Sequence, residues 1–422
     1  MTDRLQIPDL SSFETFVNGF PHDAFVKLRE QAPVWWHEPT GHTPDGEGFW
    51  CISTYELVVE VFRNPRIFSS HTGGNRPYGG TTIDDMEMSG KLLNMMDDPR
   101  HQRIRQLVNK GFTARRITRL RNGLEDMARR TLDSLTPPPG SRGRCDLVVD
   151  VAAELPLQAI CLLLGVPSED RHMLYDWVDI VTHNYSLEDP EPKLMEASIQ
   201  LFQYGQRLIQ ERTADPKNDL LSIVIHGELP DQDPPRLDET EVAMFWSLLF
   251  TAGAETTRKA IAGGVWELTK APGQFNALRD DRSLMATAVE EMIRWTTPSV
   301  YKRRTATEDT HLGGKLIRAG EKVVVWEMSA NRDAAVFENP FQFLITRSPN
   351  NHVGFGYGPH FCLGANLARL EMDVMLNAIL DRWSIIEIIG EPTWTRTNRL
   401  SGLKTLPVEF IHQERGPHAK LS

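Results

Sequence analysis

The 422-residue sequence predicts one large, mainly α fold with small β-sheets. Three observations carry that reading. Apolar side chains recur with helical spacing almost without interruption from 98 to 295, and again from 364 to 383. Strand-like runs are short and fall near the two ends, at 33–52, 299–307, 311–325 and 384–411, so both ends feed the sheets and no domain boundary separates them. Hydrophobic residues make up 40% and charged residues 24%, a globular composition that excludes disordered and fibrous chains. The expectation is a single domain over 1–422.

Taken in order, residues 21–31 and 54–63 have helical spacing, and between them Pro33-Val34-Trp35-Trp36 and Gly48-Phe49-Trp50-Cys51-Ile52 form a strand pair about a Gly/Pro-rich turn. Residues 71–91 are polar and glycine-rich, too long for a plain connection, and read as a functional loop. The long helical region breaks at Pro137-Pro138-Pro139-Gly140 and at Asp231 to Pro235.

Acidic residues outnumber basic ones, giving a net charge of −11, which argues against a nucleic-acid or anionic-membrane binder. No apolar run approaches the ~18 residues of a spanning helix, and the N-terminus lacks the basic start and apolar stretch of a signal peptide. A cytoplasmic, monomeric protein without membrane insertion is expected. Cysteines 51, 145, 161 and 362 are too few and scattered for a disulfide framework, and no C-x-x-C exists.

Three of these cysteines sit in apolar or unremarkable settings and read as buried structural residues. Cys362 differs. It lies in His352-Val353-Gly354-Phe355-Gly356-Tyr357-Gly358-Pro359-His360-Phe361-Cys362-Leu363-Gly364, directly before an amphipathic helix. Glycines at alternate positions let the backbone fold tightly and bring N–H groups to the sulfur. Backbone donors, a helix N-terminus and a metal cation all favour a thiolate over a thiol of pKa ~8.5. Gly364 leaves room for a flat cofactor against the backbone.

Phe355, Gly358, His360, Cys362 and Gly364 fit the pattern F-x-x-G-x-[HRQ]-x-C-x-G. On these residues the chain resembles the haem-thiolate monooxygenases, cytochromes P-450, in their soluble bacterial form. The resemblance implies the cytochrome P-450 fold, a non-covalent haem b, and Cys362 as the axial thiolate of its iron, with Phe355, Gly364 and Ala252 beside the haem. The strings Leu92 to Pro99 and Ser348 to Val353 look most like the steroid- and lipid-chain-oxidising branch.

Inside an otherwise apolar helix (Val242, Phe245, Trp246, Leu249, Phe250) stands Ala252-Gly253-Ala254-Glu255-Thr256-Thr257. A mid-helix carboxylate is costly to bury without a partner, and Gly253 with the threonines can loosen the helix and admit water. Alone, the segment also reads as a solvated turn. Beside the Cys362 site it resembles the family's acid–alcohol segment, which implies that Glu255 and Thr256 orient water and relay protons during oxygen activation. Peroxide-consuming relatives replace this pair.

Glu291 and Arg294 stand i, i+3 on a helix over 283–295; exposed, such a pair contributes only ~0.2–0.5 kcal/mol. The resemblance implies instead a buried structural E-x-x-R joined by Arg347. It also assigns His101, Arg105, Arg304 and His360 to the haem propionates, with Arg303 the alternative to Arg304. Arg100 departs from the glutamate that relatives often carry there.

The function expected is insertion of one oxygen atom of O2 into an apolar small molecule of steroid, lipid or terpenoid type. Pocket walls are sought in the loop 71–93, the helices 169–212, the segments 297–301 and 396–401, and at Leu92, Ala252 and Val300. The competing readings are a haem protein that binds or senses a ligand without turnover, and a peroxide-driven peroxygenase. Residues 100–130 hold ten Arg/Lys against two acids. They lack the interleaved aromatics of a nucleic-acid binder, and no flavin or iron–sulfur motif is present. Arg103, Lys110, Arg115 and Arg116 are therefore candidates for recruiting an acidic ferredoxin, itself served by a reductase.

Overall fold

The computed structural model describes residues 5–74, 76–183, 192–229 and 235–413. The helix Glu239–Lys270 runs through the centre. Its start is fixed by a capping box: Asp238 Oδ1 accepts from the Glu241 N–H (2.8 Å) and Glu241 Oε2 accepts from the Asp238 N–H (3.0 Å). Being apolar on most sides, it is covered on most sides, by the helices Glu154–Leu164, Arg171–His183, Pro192–Ala214, Met285–Thr296 and Ala365–Arg382.

The strands from the two ends do share sheets. The largest sheet runs Val34–His37, Phe49–Ile52, Lys322–Val325, Lys302–Ala306, Phe68–Ser69; the Phe49–Ile52 and Lys322–Val325 strands are parallel and the other pairs antiparallel. Side-chain alternation gives it two apolar faces: Val323 and Val325 pack with Ile52, Val58 and Phe62, while Val324 packs with Cys51, Tyr301 and Trp326. The stretch expected as strand over 311–325 contains a hairpin, Thr310–Leu312 with Lys315–Ile317, turned by Gly313 and Gly314 at φ 53° and 76°.

Three expectations need correction. The region 98–295 is not all helical, because Arg142–Asp146 is a strand paired to Pro407–His412, which also pairs with Trp383–Ile388. Its sequence, Arg-Gly-Arg-Cys-Asp, has no apolar alternation. It is held by long-range pairing, with Arg142 and Arg144 both bound to Glu409 across the ladder. Secondly, the helical stretch Leu147–Leu164 does reach spanning length, with a mean hydropathy of 2.0 over 18 residues, although Asp150 and Glu154 interrupt it. Most of it is buried against the central helix and its neighbours, as a core helix is. Finally, Val300 does not face an open wall. It is wholly buried with Ile83, Tyr301, Trp326 and Met328, held there by its N–H donating to the Arg399 carbonyl (3.1 Å) and its carbonyl accepting from the Met328 N–H (3.2 Å). The break sought at 231–235 falls outside the described residues except for Pro235, as do positions 184–191 of the expected pocket helices.

The loop 71–91 carries no helix or strand among its described residues beyond one bridge, Gly79 with Met86. It is pinned to the sheet by ions: Arg76 pairs with Asp85 and with Glu47 (2.7 Å), and Arg303 pairs with Asp85.

The structure brings Glu291, Arg294 and Arg347 together in the interior. Arg294 donates Nε and Nη2 to the two Glu291 oxygens (2.8 Å each), and Arg347 donates Nε to Oε2 (3.0 Å). The excess positive charge is taken up by carbonyls: Asn331 and Pro340 accept from Arg294, and Glu338, Asn339 and Gln342 from Arg347. Glu291→Gln leaves two buried guanidiniums without a counter-charge, and loss of one partner of such a network costs about 3–5 kcal/mol. Denaturant unfolding followed by circular dichroism should show that loss; wild-type stability would remove this cluster from the account of the fold.

Candidate active site

The loop before the helix Ala365–Arg382 is tied back on itself. The Gly356 N–H donates to Val353 O (2.8 Å), Phe361 to Gly358 O (3.0 Å) and Cys362 to Phe355 O (2.9 Å). Gly356 and Gly358 have φ near +71°, and a Cβ on Gly358 would stand 2.6 Å from the Phe62 carbonyl oxygen, so only glycine fits there. At Gly364 a Cβ would meet nothing within 4 Å. Phe355 is half-buried, with the Arg369 guanidinium 4.7 Å from its ring centre.

Burial pushes the Cys362 thiol up, against the Gly364 N–H and the positive charges of Arg105, Lys302 and Arg369. The Gly364 N–H and these charges act in the direction the sequence predicts, toward the thiolate, and burial opposes them. Cys145 and Cys161 are also pushed up by burial, to about 12, and Cys51 further still.

Beside this loop four side chains converge. His101 and Arg105 lie one turn apart on the helix Arg100–Asn109. The His101 ring centre is 3.9 Å from that of His360, and Arg105 Nη2 donates to the Phe361 carbonyl. Arg304 is buried, which lowers its pKa to about 10 against the pull of Glu327 and Asp97. Burial, then Arg304, His101 and Arg105, push His360 far below the usual imidazole range. Strand alternation separates the two neighbouring arginines: Arg303 turns to Asp85 and Thr305, leaving Arg304 to this cluster.

These residues fit a dianionic flat group. Among the described residues no carboxylate pairs with Arg105, Arg304 or His360, and His101 Nε2 is buried without a hydrogen-bond partner while its Nδ1 lies 3.2 Å from Asp98 Oδ1. Positive and orphaned groups gathered in the interior call for an anion.

On the central helix, Ala252 is exposed and Thr256 half-exposed although most neighbouring positions are buried. Both therefore present surface that neighbouring side chains do not cover. Thr256 Oγ1 donates back to the Ala252 carbonyl (2.8 Å). Leu92, on the loop side, is half-buried. The expected loosening at Gly253 is absent, for the helix is continuous from Glu239 to Lys270. Gly253 serves close packing instead, since a Cβ there would stand 2.6 Å from Ile160 Cδ1. Glu255 projects elsewhere, buried and ion-paired with Arg258 and with Lys259 (3.2 Å). Sequence reasoning missed both cations, although their i+3 and i+4 spacing was available. A small cavity lined by Tyr175, Val178, Ala254, Glu255 and Arg258 adjoins the carboxylate.

The family model for Cytochrome P450 matches residues 10–412. Cytochrome P450 126 of Mycobacterium tuberculosis is 48% identical over 405 residues, covering 95% of this chain and 97% of that protein. The steroid C26-monooxygenase of Rhodococcus jostii is 38% identical over 411 residues, covering 95% and 84%. Among solved structures, Mycobacterium marinum cytochrome P450 CYP268A2 in complex with pseudoionone superposes with a TM-score of 0.85 at 33% identity, covering 97% of this chain and 100% of that one. Fold, site chemistry and relatives agree, and the chain belongs to the cytochrome P450 family of haem-dependent monooxygenases.

Proposed function

We propose that this P450 oxidises an apolar substrate of steroid or lipid-chain type, with Cys362 as the thiolate ligand of its haem iron and electrons drawn from a ferredoxin and its reductase. The observation that carries the reading is the convergence of His101, Arg105, Arg304 and His360 beside the Cys362 loop, with an unpartnered His101 Nε2 among them. In this reading those four hold the propionates, and Gly364, Phe355 and Ala252 border the ring. When bound, haem supplies electron transfer and O2 activation. Thr256 donates its own proton to the Ala252 carbonyl, so its oxygen lone pairs are left to accept from a water. Glu255, anchored by Arg258 and Lys259, resupplies the proton from the side of the small cavity.

Cys362→Ser should abolish the red-shifted Soret band of the reduced carbon monoxide complex, while Cys51→Ser, Cys145→Ser and Cys161→Ser keep it. Thr256→Ala should keep the band and bind substrate, yet divert reductant to hydrogen peroxide; Glu255→Gln should slow turnover by roughly 10²-fold. Full coupling in both relay variants would sink the relay. A non-catalytic binder would give no product with donor and O2, and a peroxygenase would need no donor.

The name of the relative at 38% identity, a steroid C26-monooxygenase, supports the substrate class. A panel of sterols, methyl-branched fatty acids, terpenoids and small aromatics, scored by the low-to-high-spin Soret shift, should respond to the sterols or branched chains. A response confined to small aromatics would overturn that choice.

The basic stretch supports an acidic donor. Lys110 and Arg115 are exposed and Arg103 is half-buried, whereas Arg116 already donates to Asn218 (2.6 Å). Surface attraction is screened beyond ~8 Å at physiological salt, so reduction by a ferredoxin should slow with added salt while substrate binding does not. Reversing the charge at Lys110 and Arg115 should weaken docking and leave the haem spectrum unchanged. Salt-independent reduction would remove the patch.

A further inference from the structure

Lys259 lies one helical turn beyond Glu255 and is only 2% exposed. A buried ammonium is tolerated when each of its three N–H groups finds an acceptor. Here Nζ lies 2.8 Å from the Leu400 carbonyl, 3.0 Å from Thr395 Oγ1 and 3.2 Å from Glu255 Oε1. Two of the three acceptors belong to the turn 395–402. That turn is closed by the Thr395 N–H donating to Gly402 O (3.0 Å) and by Thr395 Oγ1 donating to Leu400 O (2.9 Å).

The fit is close along the aliphatic stem as well. A Cβ on Gly402 would stand 2.6 Å from Lys259 Cγ and Cδ, so the turn lies flat on the lysine. The turn in turn grips the segment before the large sheet: Ser299 bridges Leu400, and the Val300 N–H donates to Arg399 O. Any shift of the turn must either break a charge-assisted bond at Nζ or carry Nζ, and with it Glu255, along.

We propose that Lys259 is a positioning residue that locks the Glu255 carboxylate to the turn 395–402 and so sets its orientation for proton delivery. The inference rests on the relay reading of Glu255 and Thr256. It makes coupling of reductant to product depend on a turn more than a hundred residues away in sequence.

The test uses the haem-loaded enzyme. Lys259→Met should raise amide hydrogen exchange across 395–402 and increase the ratio of peroxide to product by about tenfold, a change equal to ~1.4 kcal/mol. In the Glu255→Gln background the same substitution should still speed exchange but add nothing to the peroxide ratio. Thr395→Val, which removes one acceptor and keeps the ion pair, should move both readouts the same way by less, and stands in if Lys259→Met does not hold haem. Faster exchange with unchanged coupling in Lys259→Met, or in Thr395→Val where that variant stands in, would make Lys259 a structural anchor only and overturn the proposal while leaving the relay intact. An additive peroxide increase in the double variant would also overturn it. Full coupling in Glu255→Gln alone would instead remove the relay beneath it.

Discussion

The buried carboxylate of Glu291 accepts from Arg294, Arg347, Asn350 and the Leu344 N–H. Arg294 then donates to the Asn331 carbonyl, and Asn331 Oδ1 accepts from the Val353 N–H at the start of the cysteine loop. The neighbouring Glu290 lies 3.0 Å from His352 Nε2 at that same start and, beyond the loop, pairs with Arg369 on the helix that follows Cys362. One turn of one helix thus fixes both ends of the segment that presents the sulfur. Because an uncompensated charge in this interior is so costly, the arrangement has few alternatives. The position of Cys362 inherits that rigidity.

A second constraint is electrostatic. Arg304, Arg105 and His360 are gathered without a paired carboxylate among the described residues, beside His101, which meets Asp98 through Nδ1 alone, while nearby Arg303, Arg76 and Lys322 are matched by Asp85 and Glu47. The strand Lys302–Ala306 divides the two environments by its pleat. One face belongs to a closed ionic network that pins the loop 71–91, and the other turns Arg304 toward His360 and Arg105.

The central helix works in a similar two-sided way. Ala252 and Thr256, four residues apart, share an uncovered face, whereas Glu255 is rotated by about 100° and held among cations. The acid and the alcohol are therefore neighbours in sequence that lie on different sides of the helix.

Sequence alone determined the features that are local to a few residues or repeat with a fixed period. The glycine pattern around Cys362, the i, i+3 spacing of Glu291 and Arg294, the Ala252-to-Thr257 segment and nearly all of the helices were legible, because steric rules and helical periodicity act within one or two turns of chain. Tertiary structure alone decided the strand Arg142–Asp146, whose polar sequence pairs only because Pro407–His412 lies beside it. It also decided the burial of Val300, the contact of His101 with His360, and the meeting of Lys259 with the turn 395–402. Each of these depends on contacts between residues far apart in the chain. Their free energy exists only once the loops between them have closed, and no local pattern encodes it.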